Sequence, residues 1–384
     1  MIPLSVPCLQ GNEWKYVKEC LDTEWVSSAG QYVDRFETDF CRLTGAGYAV
    51  ACVNGTSALQ VALRLVGVHP GEEVIVPTLT FIATVNTAKY LGAEPVFMDC
   101  DEYYNIDVHK TTEFIERETE FRNGNTYSRY TGRRIAAIVP VHVFGNAVRM
   151  QDLVSLCRSR NISIVEDAAE SLGTSYAALG LEGRHTGTIG DIGCFSFNGN
   201  KIITTGGGGM IVTDSVEYAE KARYLTTQAK DDEVRYVHNE IGYNFRLTNL
   251  QAALGVAQLE LLPRFLDIKL KNYLKYKKEI CNIDGLELAE SPPYGHNNHW
   301  MYALQIDRNV YGKDREALMA HLKGNGIQTR PVWHLNHLQH PYINCQSYHI
   351  EKAHRMLEIT LNIPCSANLK ESDIEYVIDK LRNG

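Results

Sequence analysis

One lysine and the four glycines that follow it closely, Lys201 and Gly206-Gly207-Gly208-Gly209, are the first residues in this sequence whose types and spacing suit covalent chemistry. They follow the apolar run Gly193–Phe197 and the polar turn Asn198-Gly199-Asn200. A lysine just beyond a buried strand is stripped of part of its water, which frees the amine for nucleophilic work. The glycines let the backbone turn sharply and come close to a flat ligand. A surface lysine ahead of a flexible loop has the same pattern, so neighbouring residues must decide. The run Ile162-Ser163-Ile164-Val165 ends in Glu166-Asp167, which puts a carboxylate where open α/β sheets bind their ligands, beyond the carboxyl ends of the strands. Held against a pyridine-type nitrogen, such a carboxylate keeps the ring protonated and electron-withdrawing. Asp167 before Ala168-Ala169 is also good helix-capping chemistry. In Val53-Asn54-Gly55-Thr56-Ser57-Ala58-Leu59 a strand gives way to a small-residue turn and a helix, whose first N–H groups suit a phosphate. This is not a Walker loop, because the Gly-Lys-Ser/Thr ending is absent. A simple N-cap by Thr56 or Ser57 fits as well.

These residues need elements to position them. Short apolar runs alternate with helical patterns from Tyr48 to Asp214, the signature of an α/β domain with a mainly parallel sheet. The spacing predicts strands at Tyr48–Val53, Glu73–Val76, Pro95–Met98, Ile135–Val143, Ile162–Glu166, Gly193–Phe197 and Gly209–Thr213. Helices are predicted at Ser57–Val66, Phe81–Leu91 and Met150–Arg160. Thr119 to Arg134 is polar and turn-prone and reads as a surface excursion. A long helical stretch from Leu250 to Ile280 carries Pro263, and the division is drawn there: a large domain over residues 1–262 and a small α+β domain over 263–384, with the N-terminal tail packing on the small domain. The small domain is predicted to hold a strand at His299–Ile306, a helix at Lys313–Asn325 and a terminal helix from Ser372.

Bulk properties narrow the function classes. The net charge of −8 leaves no overall basic field for nucleic acid or an anionic membrane. The longest apolar stretches, such as Ile135 to Phe144, are too short to span a bilayer and are broken by Pro140 and His142. The N-terminus lacks a signal-peptide pattern, so the expected location is the cytoplasm. Ten cysteines stand singly without a CxxC pair, which predicts reduced thiols and no metal site.

Taken together and in order, the motifs resemble the DegT/DnrJ/EryC/StrS sugar-aminotransferase family over nearly the whole chain. The motifs are Asn54–Leu59, Pro77–Thr84, Glu166-Asp167-Ala168-Ala169, Ser196–Lys201 and Gly242-Tyr243-Asn244-Phe245-Arg246. The resemblance implies a pyridoxal-phosphate (PLP) dependent, aspartate-aminotransferase-type (type I) fold with a mostly parallel seven-stranded sheet. It implies that Lys201 holds the cofactor and that Asp167 meets its ring nitrogen. Phe81 would stack on the ring, and Gly55, Thr56, Ser57 and Ser196 would form the phosphate site. Glu170 would also contact the cofactor, and Asn244 would enter from a second subunit, making a homodimer with shared active sites. His142, Arg246 and His334 are candidate substrate contacts.

The implied reaction moves an amino group from L-glutamate to the 4-keto group of a nucleotide-linked deoxy sugar. Asn198 and Glu170 stand where many members have His and Gln or His, and the string Phe197–Thr205 resembles the branch acting on UDP-2-acetamido-4-keto-2,4,6-trideoxyhexose, toward bacillosamine- or legionaminic-acid-type surface glycans. The alternatives are a sugar 3-aminotransferase, a dehydratase or a non-catalytic PLP-binding regulator. Dehydratase relatives carry His at the lysine position, and Lys201 argues against that reading.

Overall fold

The computed structural model of the chain describes residues 1–232 and 234–384. Two helices, α1 (Glu13–Asp22) and α2 (Gln31–Thr44), precede the large sheet. The first half of that sheet alternates with helices: β1 (Tyr48–Cys52), α3 (Gly55–Leu65), β2 (Glu73–Pro77), α4 (Ile82–Tyr90), β3 (Glu94–Met98) and α5 (Val108–Arg117). A hairpin of β4 (Thr119–Arg122) and β5 (Asn125–Ser128) follows, where the sequence predicted only a surface excursion. Its turn is Asn123-Gly124, both with positive φ, the geometry that favours this pair in tight hairpins. The chain continues through β6 (Ile135–Ile138), α6 (Met150–Arg160), β7 (Ser163–Asp167), β8 (Ser175–Tyr176), β9 (Ile192–Ser196), β10 (Gly209–Thr213) and α7 (Val216–Thr226). Strand β6 is shorter than predicted, because Pro140 removes a donor and the chain turns at Val143–Gly145.

The long helix α8 (Asn249–Ile280) leads to the second half of the molecule. It opens with a capping box between Thr248 and Gln251, and it passes through Pro263 and the drawn 262/263 division without interruption. Pro263 is exposed, and it takes one backbone donor out of the helix. Beyond it lie β11 (Leu286–Leu288), β12 (Gly295–His296), β13 (Tyr302–Ile306), α9 (Arg308–Tyr311), α10 (Arg315–Gly324), β14 (Arg330–Pro331), β15 (Ser347–Tyr348), α11 (Lys352–Ile359), β16 (Thr360–Ile363) and α12 (Glu371–Arg382). Here β11, β13, β16 and β14 form an antiparallel sheet. The N-terminal residue Ile2 bridges to Ile327 and packs in this smaller core.

The large sheet has the order β1-β10-β9-β7-β6-β2-β3-β15. It has eight strands rather than the expected seven, because the two-residue β15 from the C-terminal half pairs parallel to β3 at the edge. Only β10 runs against its neighbours. The carboxyl ends of β1, β7 and β9 therefore share one edge, which brings Asn54, Asp167 and Ser196 together although they are far apart in sequence. Strands β2, β6 and β10 are buried along their whole length, as expected for a sheet with helices on both faces. Phe195 and Phe197 on and after β9 meet Phe40 of α2 edge-on at ring distances of 4.9 and 5.6 Å. Truncating one of these buried rings to alanine costs about 3–5 kcal/mol and would loosen the backbone just before Lys201.

Candidate active site

The cavity at this edge has a volume of about 350 Å³, within the range of small-ligand sites. Lys201, Asp167 and Glu170 all line it, with Phe81, Gly55, Thr56 and Ser196. Lys201 is the single cationic side chain among the described residues that line it.

Asp167 ends β7 and is buried. Its Oδ2 accepts a 2.7 Å hydrogen bond from Thr84 Oγ1, and its Oδ1 accepts one of 3.1 Å from the Ala169 N–H. Burial pushes the carboxyl above its usual range, and these two bonds and the Lys201 charge only partly oppose that shift. The chain thus holds an under-compensated carboxylate at the cavity wall, which a protonated ring nitrogen would complete. Glu170, one helical turn further on in sequence, is also pushed up by burial, against the pull of Lys201 and a 2.9 Å hydrogen bond from the Phe144 N–H to Oε2. Phe144 donates that bond from a left-handed conformation, φ 57°, a strained geometry for a non-glycine residue.

Lys201 Nζ stands 3.5 Å from Glu170 Oε1 and 4.0 Å from the centroid of the Trp300 ring. On the opposite side, Asn54 caps α3: its side-chain oxygen accepts the Ser57 N–H at 2.8 Å. The first-turn N–H groups of Gly55 and Thr56 have no partner within the helix and stand at the cavity, where the helix dipole favours an anion. A Cβ on Gly55 would lie 2.9 Å from the Ser196 Cβ, so only glycine lets α3 come this close to β9. The hydroxyls of Thr56 and Ser196 make no hydrogen bond among the described residues, and both line the cavity. Phe81, the N-cap of α4, has an exposure of 54% and lines the cavity with its aromatic ring. An amine, an under-compensated carboxylate, an aromatic ring and a donor-rich helix end are the set of groups that a phosphorylated pyridine aldehyde requires.

Several predicted residues lie elsewhere. His142 is not a substrate contact: it is fully buried, Nε2 pairs with Glu166 Oε2 at 2.8 Å, and Nδ1 accepts the Val148 N–H at 3.1 Å. Glu166 also accepts the Gly187, Ile189 and Gly190 N–H groups. Burial alone would raise its carboxyl, but His142 and these amides hold it below its usual range. The N–H of Ser57 is taken by Asn54 and its side chain lies outside the cavity lining, so it does not join the phosphate-type end. His334 is exposed and outside the lining, while its neighbour Trp333 is in it. Asn244 is exposed and outside the cavity of its own chain. Arg246 faces a separate recess near Gly30, with Nη2 3.6 Å from Glu37 Oε1. Sequence reasoning missed Thr84, Asn198, Asn200, Trp300 and Trp333 as cavity residues. Thr84 closes the Pro77–Thr84 motif and is spaced one helical turn from Thr80, a usable signal; Trp300 offered none.

Comparison with known proteins agrees with this geometry. A family model described as "DegT/DnrJ/EryC1/StrS aminotransferase family" matches residues 7–382. The chain is 37% identical over 385 aligned residues to a GDP-perosamine synthase of Caulobacter vibrioides, covering 99% of this chain and 97% of that one. It is 34% identical to a putative pyridoxal phosphate-dependent aminotransferase, EpsN, of Bacillus subtilis, covering 99% and 95%. Among solved structures, the aminotransferase TlmJ from Streptoalloteichus hindustanus superimposes with a TM-score of 0.88 at 28% identity, covering 100% of this chain and 98% of that one.

Proposed function

The chain belongs to the DegT/DnrJ/EryC1/StrS aminotransferase family, whose sugar aminotransferases work with PLP, and from that premise we propose that it moves the amino group of L-glutamate onto the 4-keto group of a nucleotide-linked deoxy sugar. The observation that carries this reading is the convergence of the Lys201 amine, the Asp167 carboxylate and the unspent Thr56 and Ser196 hydroxyls in one cavity. Bound there, PLP supplies a carbonyl that takes up the amino group and a ring that draws electrons from the reacting carbon.

The chain's own residues supply the rest. Gly55, Thr56 and Ser196 hold the phosphate through helix N–H groups and hydroxyls. Phe81 covers one face of the ring and keeps water from it. Asp167, steadied by Thr84, keeps a proton on the ring nitrogen. Lys201 first anchors the cofactor through Nζ. When free, the same Nζ would be placed to take the proton from the donor's α-carbon and to give it up again, acting as base and then as acid. Glu170 faces this amine and balances its charge when it is protonated.

For the sugar, the string Phe197–Thr205 supports UDP-2-acetamido-4-keto-2,4,6-trideoxyhexose. A second reading, a GDP-linked keto sugar, is favoured by the identity to GDP-perosamine synthase. Incubation with L-glutamate and a panel of UDP-, GDP- and dTDP-linked 4-keto and 3-keto sugars separates them by which one is aminated. If L-glutamate leaves the cofactor's visible absorbance unchanged, the chain is not an aminotransferase with this donor and the regulator reading gains.

The working unit in this reading is a homodimer, with Asn244 of a second copy completing each phosphate site. Exposed Trp14 (81%), Trp25 (59%) and Ile241 (79%) are the kind of apolar surface a second copy would cover. No helix among the described residues is long and apolar enough to cross a membrane.

A further inference from the structure

We propose that Trp300 is a positioning residue for Lys201, whose indole face holds the amine whenever it is not bonded to the cofactor and so favours the aminated form of the enzyme. The inference rests on the aminotransferase reading above. A lysine that anchors a cofactor must also have somewhere to go when it is displaced. Lys201 Nζ lies 4.0 Å from the Trp300 ring centroid, and its side chain is only 13% exposed. The indole face and the Glu170 carboxylate at 3.5 Å are what hold it.

Trp300 is itself fixed from several directions. Its indole N–H donates to the Asn200 carbonyl at 2.8 Å, so the ring is tied to the residue just before Lys201. Its backbone N–H donates to Asn298 Oδ1 at 2.9 Å, and the Asn298 side-chain amide donates to the Glu170 carbonyl at 2.8 Å. One asparagine therefore links the aromatic face to the carboxylate on either side of the amine. The Trp300 carbonyl accepts from the buried Lys269 Nζ at 3.2 Å. Burying a second lysine at this point is costly, and burial holds its amine below the usual range. A ring that served only as filler would not need this framework.

The covalent exchange determines what the face does. With the cofactor bound, the donor's amine would replace Nζ on it, one carbon–nitrogen bond forming as the other breaks. The two protons of the donor's amine pass to Nζ, which leaves as a free amine. The α-carbon proton that Nζ takes is handed on, so the charge left on Nζ in the aminated enzyme is the proton the donor sheds after entering as an ammonium, and the Nζ ammonium so formed is what an aromatic face attracts. Trp300 contributes only to states in which the lysine is free. It pulls the half-reaction equilibrium toward the aminated cofactor and the keto acid.

The test is the ratio of L-glutamate to 2-oxoglutarate at which half of the cofactor is aminated, read from the holoenzyme's absorbance without turnover of the sugar. Trp300→Leu removes a desolvated cation–π interaction and should raise that ratio by about fivefold to thirtyfold. Trp300→Phe keeps an aromatic face but loses the indole N–H, and its ratio should fall between wild type and Trp300→Leu. An unmoved ratio in Trp300→Leu overturns the proposal, as does an equal shift in both variants, which would assign the effect to the Asn200 bond. If Trp300→Leu does not fold, Trp300→Met, which likewise offers no aromatic face, takes its place and is read against Trp300→Phe by the same outcomes. If wild type shows no half-reaction at all, it is the aminotransferase reading that fails.

Discussion

Replacing Thr84 by valine tests whether the Asp167 carboxylate is held ready by the chain or is merely buried there. The substitution keeps the volume of the side chain and removes the hydroxyl that donates to Oδ2 at 2.7 Å. Asp167 accepts one other side-chain-directed bond, from the Ala169 N–H at 3.1 Å, so the substitution takes away the shorter of two donors to a buried carboxylate. A hydrogen bond to a charged group contributes about 1.5–3 kcal/mol. If that bond acts on the ring nitrogen through Asp167, the half-reaction with L-glutamate should slow by roughly tenfold to hundredfold. The sign of the pH effect is fixed as well. Burial already pushes this carboxyl upward, and Thr84 opposes the push. Without Thr84 the carboxyl holds its proton to a higher pH, less carboxylate is present at any given pH, and the acid limb of the rate profile moves up. Single-turnover absorbance changes, followed across the neutral range, read both quantities. A rate within about twofold of wild type with an unmoved acid limb would refute the role given to this hydrogen bond.

Asp167→Asn should lose at least about a hundredfold in the same half-reaction, as losses of charge stabilisation commonly do. In the cofactor-free protein it should instead raise stability at neutral pH by on the order of 1 kcal/mol. A carboxyl with a raised folded-state value costs stability above that value and recovers it as the pH falls toward the unfolded value, so the gap in melting temperature should close on acidification; a gap that widens contradicts the assignment. His142→Ala should cost about 3 kcal/mol in urea unfolding, because it leaves the buried Glu166 short of a partner, while kcat and KM of the folded enzyme stay near wild type; a raised KM for the sugar at unchanged stability would restore the substrate role. Inactive Lys201→Ala and Asn244→Asp chains, mixed under conditions of demonstrated subunit exchange, should regain activity, since a mixed dimer has one intact site; persistent inactivity would show that the sites are not shared.

The part of the site that could be read in the sequence is the part carried by single strands. Lys201, Asp167 and Gly55 each follow an apolar run at the carboxyl end of a strand, so periodicity alone places all three at one edge of the sheet. The errors at His142 and His334 are of one kind. In both, the neighbour on the N-terminal side lines the cavity, Val141 in one and Trp333 in the other. Adjacency to a lining residue brought neither imidazole into the cavity: His142 spends both ring nitrogens in the interior, and His334 is exposed. The chemical appeal of an imidazole outweighed the question of where its partners lie. Trp300 is different in kind. It meets Lys201 from a segment about a hundred residues later, through hydrogen bonds to Asn200 and Asn298 that no local pattern encodes. Local sequence can say which residues are able to do chemistry. What holds an amine between its chemical steps depends on packing between distant segments, which is why the role inferred for Trp300 had to come from the fold.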